Sequence, residues 1–329
     1  KPAPKSPVMS VRVISQRTNS PRATHVMHRG EFKQPREKVA ALTPVTLPKV
    51  TNRAQGNRLD LARWLVDGKN PLAPRVTANQ IWANLFGEGI VRTVNDFGVR
   101  GDAPTHPELL DWLATELVRR KWSRKAMIRL IVNSATYRQS SAHRPEIIAR
   151  DPSNLLLHRQ NRFRVEAEII RDALLEVSGM LDRTMYGRGT LDQKIPRRSI
   201  YLTVKRSQLI PFLKLFDAPD GMLGIGSRTE TTVPPQALAM LNSPLIQDLA
   251  KKFAARVRPN TTDTSLEEAI ANAYRLALSR SPNAEEAAVM KEFIQRQAAS
   301  RDKETNAEAL ALRDFCQLVL CMNEFIYVD

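Results

Sequence analysis

A chain of 329 residues with 42% hydrophobic content can bury a sizeable core, which excludes intrinsic disorder for most of its length. The formal net charge is +16, and 35 of the 50 basic residues are arginine, the side chain suited to bidentate pairing with carboxylates and phosphates. No stretch reaches the roughly 20 apolar residues of a membrane span, and no signal-peptide pattern opens the sequence at Lys1, so it reads as a soluble piece of a longer or processed protein.

Residues 1–55 are rich in Pro, Lys, Arg and Thr, and the short alternating runs Ser10–Ile14 and Thr24–His28 predict an extended arm or linker. From residue 56 the period becomes helical. Leu61, Trp64 and Leu65 share one face of a first helix that Gly68 and Pro71 stop, and a second helix spans about Pro74 to Phe86. After the loop Val91–Thr105, the Thr105/Glu108 pair has the form of a capping box for a third helix reaching about Arg120. Ser123 caps a fourth, with Ile128, Ile131, Val132 and Ala135 as its stripe, and the short link predicts an antiparallel hairpin of the two.

A long helix follows from about Arg164 to Leu181, with Val165, Ile169, Ala173, Leu174 and Val177 inward. Ile200, Leu202 and Val204 then alternate as in a short half-buried strand, which could pair with the arm. Five further helices are predicted at about Gln236–Leu241, Pro244–Val257, Ser265–Leu278, Asn283–Ala298 and Asn306–Asn323. In the last, Ala311, Phe315, Leu318, Met322 and Phe325 form an apolar seam that docks into the core. The fold class is therefore mainly α: a compact multi-helix domain over 56–329 with a small β element and an extended arm. It is divisible into lobes at 56–185 and 186–329, with more than about half of its residues helical.

The segment from Asn57 to Ser141, centred on VRTVNDFGVRGDAPTHP, is followed by three further blocks, RRSIYLTVKRSQLIPFLKLFDAPDG, SRTETTVPPQALAMLNSP and CMNEFIYVD. Together these blocks closely resemble the C-terminal domain of unknown function in the large secreted, cytochrome-c-associated proteins of planctomycetes and their relatives. The resemblance implies an exported parent, periplasmic or extracellular, with c-type haem in a separate domain. It also implies an auxiliary docking or scaffold module in a redox-linked assembly. It names no reaction.

The chemistry legible from the residues is sparse. Cys316 and Cys321 lie about 140° apart around a helix, so geometry disfavours a disulfide within that helix, and no Cys-x-x-Cys-His haem site is present. No cofactor is expected in this chain, and no His/Cys cluster predicts a metal. Asp96-Phe97-Gly98 matches a kinase magnesium motif by three residues only; Phe97 reads instead as an anchor for its loop, with Gly98 at the turn. Gly221, Gly224 and Gly226 lack the βαβ setting of a phosphate cradle and read as a surface loop.

His106, near Asp102, Glu108 and Asp111 in sequence, is the best proton-transfer candidate, against a reading as a capping residue. The block Ser227–Thr232 leads into a helix start, where an anion could sit on free N–H groups. The candidate interface residues are accordingly Arg92, Arg100, Arg228, Thr231 and Thr232, with His106, Asp96 and Glu230 as candidate catalytic groups. The competing structural reading has Arg228 and Glu230 paired with Arg92, Asp96 or Arg100, Asp96 being the first choice for Arg228.

Many of the arginines are expected in internal ion pairs and caps, while the surplus meets an acidic partner: another domain or subunit of an assembly, an anionic glycan or an envelope surface. An extracellular enzyme acting on an anionic polysaccharide is the alternative. Nucleic acid is disfavoured, because the longest basic clusters are short (Arg119, Arg120, Lys121; Arg197, Arg198) and aromatics make up only 6%.

Overall fold

A computed structural model of the chain describes residues 13–15, 22–50, 56–222, 224–259, 263–301 and 303–328. Helices hold 47% of the residues, thirteen of them among the described residues, beside two two-stranded sheets. The mainly α class stands, at slightly less than the half that periodicity predicts, because the stretches 87–106 and 178–210 are built largely of turns and short bridges. Two compact units divide the chain, Lys1–Gln139 with His143–Arg159, and Ser140–Ala142 with Gln160–Asp329. The changeover thus falls near 140–160 rather than at 185, because helix 167–177 packs with the later helices.

In the first unit the arm forms a hairpin of β1 (Thr24–Met27) and β2 (Pro35–Val39), with Arg29 and Gly30 at positive φ in the turn between them. The predicted run Ser10–Ile14 lies mostly outside the described residues. Helix α1 (Arg58–Leu65) starts at a reciprocal cap between Asn57 and Asp60, yet Leu61 and Leu65 remain about half exposed, so its apolar face is not a core face. Trp64 instead donates its indole N–H to the Pro48 carbonyl at 2.6 Å.

The core of this unit lies among α2 (Ala73–Phe86), α3 (Pro107–Arg119) and α4 (Arg124–Val132), where Phe86, Leu113, Leu117 and Met127 are buried and Trp82 stacks on Phe86 at 4.1 Å. Ser123 caps α4 as the sequence predicts, accepting from the Ala126 N–H. The predicted box at α3 does not form. His106 holds the N-cap position, while Thr105 donates its N–H and hydroxyl to the Ile90 carbonyl and so closes the base of the preceding loop. A short α5 (Pro145–Ile148) follows.

The second unit begins with β3 (Phe163–Arg164), paired antiparallel with β4 (Tyr327–Val328). Helix α6 (Ala167–Val177) is shorter than predicted; Leu174 and Val177 are buried as predicted, but Ile169 is half exposed and its neighbours Ile170 and Arg171 are buried instead. The alternating run at Ile200–Val204 is not a strand paired with the arm. Residues Ser199–Tyr201 wind into a 3₁₀ turn, and Leu202 makes a single bridge to Thr190. The cause is the buried Arg171, whose guanidinium collects the carbonyls of Gln193, Ile195 and Arg197, while Asp172 accepts from both the N–H and hydroxyl of Ser199 at 2.7 Å. These bonds bend the segment back on α6.

Helices α7 (Pro211–Leu215), α8 (Pro234–Asn242), α9 (Pro244–Val257), α10 (Leu266–Leu278), α11 (Ala284–Ala299), α12 (Ala307–Leu320) and α13 (Asn323–Ile326) complete the unit. Ser265 and Asn283 cap α10 and α11, and proline occupies the first turn of α7, α8 and α9. Along α12 the buried seam is Ala311, Leu312, Phe315, Cys316, Val319 and Leu320, with Leu318 and Met322 only partly covered. Both cysteines are free thiols, and burial pushes the Cys316 thiol well up and that of Cys321 up to about 11. No helix among the described residues is long and apolar enough to cross a membrane.

Candidate functional site

A highly organised polar cluster centres on Arg164, which β3 carries into the interior of the second unit at 5% exposure. Its guanidinium donates to the Asp217 carboxylate at 2.6 Å, to the Thr231 carbonyl at 2.6 Å and to the Phe216 carbonyl at 3.4 Å, and lies 5.8 Å from the Phe216 ring. Among the described residues its Nε finds no acceptor. Asp217 sits just past the end of α7 with φ +63°, a left-handed conformation that turns its side chain back into the cluster. The carboxylate accepts the Thr231 N–H at 2.8 Å and the Thr231 hydroxyl at 2.8 and 2.9 Å.

Burial opposes the charge on Asp217, but the hydrogen bonds from Arg164 and Thr231 outweigh it and hold the carboxyl below the ordinary carboxylate value. Gln236, at the start of α8, closes the cluster by donating to the Leu215 carbonyl at 3.0 Å. At the edge, the Thr232 hydroxyl and the Tyr327 hydroxyl are 3.1 Å apart, so β4 is tied to the same group. The arrangement can bind and orient. Its one carboxylate is saturated with donors and offers no free base.

Arg228 lies beside this cluster and forks onto Glu168, with Nη1 to Oε2 at 2.7 Å, while its Nε stands 3.2 Å from Glu166. Asp96, the predicted partner, is not used. The turn from β3 into α6 places two carboxylates two residues apart next to Arg228, a proximity no sequence spacing reveals. Glu230 is exposed and forms no ion pair among the described residues. Of the predicted set, therefore, Arg228, Thr231 and Thr232 are drawn into one polar neighbourhood.

The others belong to the first unit. Asp96 accepts the Gly98 N–H at 2.8 Å, and Thr93 donates its hydroxyl to the Asp96 carbonyl. At Gly101 an added Cβ would stand 2.0 Å from the Asp96 carbonyl oxygen, so the closely wound loop requires glycine there. Phe97 packs against the core, as its reading as an anchor predicts. Arg92 pairs with Glu88 at 2.6 Å on the surface, and Arg100 is exposed. His106 is half-buried with Nδ1 3.0 Å from the Thr105 hydroxyl, whereas Asp111 pairs with Arg75 instead of orienting the imidazole.

An open groove of about 690 Å³ in the same unit is lined by Arg22, Thr24, Thr43, Asn57 and Leu61 among others, and by none of the predicted site residues. Among the described residues no group of three His, Cys, Asp or Glu side chains is placed to hold a metal ion.

Sequence reasoning missed Arg164 and Asp217. The available signal was indirect: Asp217 and Thr231 each fall in one of the separated blocks that set this sequence apart, and Arg164 interrupts an apolar run at Phe163–Val165.

These features define a mainly helical domain whose polar interior joins distant segments of its own chain. The family described as PSD1, protein of unknown function (DUF1553), matches residues 57–294, and the chain belongs to it. No curated protein and no solved structure matches this chain.

Proposed function

We propose that the chain is a docking module: an arginine-rich chain that meets the acidic surface of a neighbouring domain or subunit. The larger assembly we envisage is secreted and redox-linked, with c-type haem carried elsewhere. The observation that carries this reading is the state of the candidate chemistry. Arg228, Thr231 and Asp217 are engaged by internal partners, Asp96 closes its own loop, and among the described residues no carboxylate bonds to His106. An enzyme needs groups left free to act on a substrate. The chain carries a formal net charge of +16, which favours acidic partners and steers association with them.

The exposed Glu230 favours a second reading, an enzyme or binding protein for an anionic polysaccharide. Salt-dependent retention on immobilised polyglutamate, with no release of reducing ends from alginate or heparin, is the expected result. Cleavage of either polysaccharide that disappears in Glu230→Gln or His106→Ala would overturn the docking reading in favour of the enzyme.

A further inference from the structure

The loop after α6 displays large apolar side chains to solvent. Met185 and Tyr186 are 65% and 75% exposed, and Ile200 and Val204 on the adjoining segment are 74% and 75% exposed. The two segments are fastened side by side. Thr190 donates its N–H to the Tyr201 carbonyl at 3.0 Å, Thr203 donates to the Thr190 carbonyl at 2.7 Å, and the Tyr201 hydroxyl accepts the Tyr186 N–H at 2.7 Å. Arg197 lies over the Tyr201 ring at 3.6 Å and donates to the carbonyls of Thr184 and Tyr186. The exposed Met222 extends the patch, since its neighbour Gly221 approaches Val204.

This exposure is held in place. Tyr186 has φ +68°, a conformation that a bulky residue adopts only when its surroundings over-determine it, and here both its N–H and its carbonyl are bound. The result is an aromatic ring presented outward on a fixed backbone beside Met, Ile and Val. Solvent penalises such a contiguous apolar patch, and such patches mark contact surfaces.

The charge around the patch selects the contact. Between residues 182 and 206 there are seven Arg or Lys and two Asp. Arg188, Lys194, Lys205 and Arg206 form no ion pair among the described residues. Exposed aliphatic side chains with cations close to them in the chain match the two layers of an anionic bilayer: headgroup phosphates for the cations and acyl chains for Met185, Ile200 and Val204. A single-stranded nucleic acid would require aromatic platforms in series, and Tyr186 is the lone aromatic exposed there.

We propose that the surface formed by residues 183–188 and 200–206 is a peripheral membrane-contact site for anionic phospholipid, which inserts its aliphatic side chains while its cations hold the headgroups.

The full chain should co-sediment with phosphatidylcholine vesicles containing about 30% phosphatidylglycerol and bind neutral phosphatidylcholine vesicles at least about tenfold more weakly. Replacing Met185, Ile200 and Val204 together with serine should weaken the anionic-vesicle binding at least about tenfold. Because these side chains are exposed, the melting temperature should hold. Lys251→Ala with Lys252→Ala, exposed cations on α9, should leave binding nearly unchanged. Undiminished vesicle binding by the serine variant would overturn the proposal, as bare charge would then account for it. So would a variant that loses polyglutamate binding while the parent chain ignores vesicles, which would assign the patch to a protein partner.

Discussion

Arg164→Ala should lower the unfolding free energy by about 3–5 kcal/mol, the cost of leaving a buried charge without its partner. At the size of the second unit that corresponds to a fall in Tm of roughly 6–20 °C. The argument rests on burial. The Arg164 side chain is 4% exposed and its loss strips Asp217 of a 2.6 Å donor as well as freeing two backbone carbonyls. Thr231 remains on the carboxylate, which favours the lower end of the range.

The pH dependence has a fixed sign. The folded state depresses the pKa of Asp217, so its contribution is fully present above the ordinary carboxylate value near about 4 and is lost as pH falls through the folded pKa. The gap between the parent and Arg164→Ala should therefore narrow in acid. By contrast Arg228→Ala should cost only about 0.2–1 kcal/mol, since Arg228 and Glu168 are each about one-third exposed and water screens the pair. Equal losses from the two variants would contradict the central role given to Arg164.

The second large effect is expected at Phe315→Ala, about 3–5 kcal/mol, because a fully buried phenylalanine on α12 leaves a cavity among α9, α10 and α11 side chains. Leu318→Ala on the same helix should cost less than about 2 kcal/mol, as that side chain is only partly covered. Chemical denaturation of the two variants would read this difference directly. A larger loss at Leu318 than at Phe315 would mean that the seam runs along the other phase of the helix.

That comparison bears on how far the sequence could be read. Local rules carry part of the reading: Ser123 caps the helix it precedes and a proline opens α9, but the Thr105/Glu108 box does not form. Such signals act within four residues and need nothing from the rest of the chain. Helix phase is less secure. A stripe of apolar residues also fits a helix turned by one position, and Ile169 and Leu318 were each placed inward when Ile170 and Val319 are the fully buried residues.

The failures at Ile200–Val204 and Arg228 have another origin. One segment is bent by Arg171, a charged residue inside α6, and the other is claimed by Glu166 and Glu168, some 60 residues away. The candidate site was legible in part. Thr231 and Arg228 stood out as a polar block before a helix, but Arg164 and Asp217 acquire their meaning only when four remote stretches meet.

The pairing of Phe163 with Val328 sets an order of events during folding. Bringing these two ends together closes a loop of roughly 165 residues, and loop-closure entropy rises only slowly with length but must be met before any non-local contact returns stability. The helices of the first unit need only neighbours close in sequence, and α9 to α12 likewise follow one another. The strand that carries Arg164 waits for the far end of its unit, so the pairing of β3 with β4 is expected to be a late step. Until Tyr327 arrives, the arginine has no strand partner.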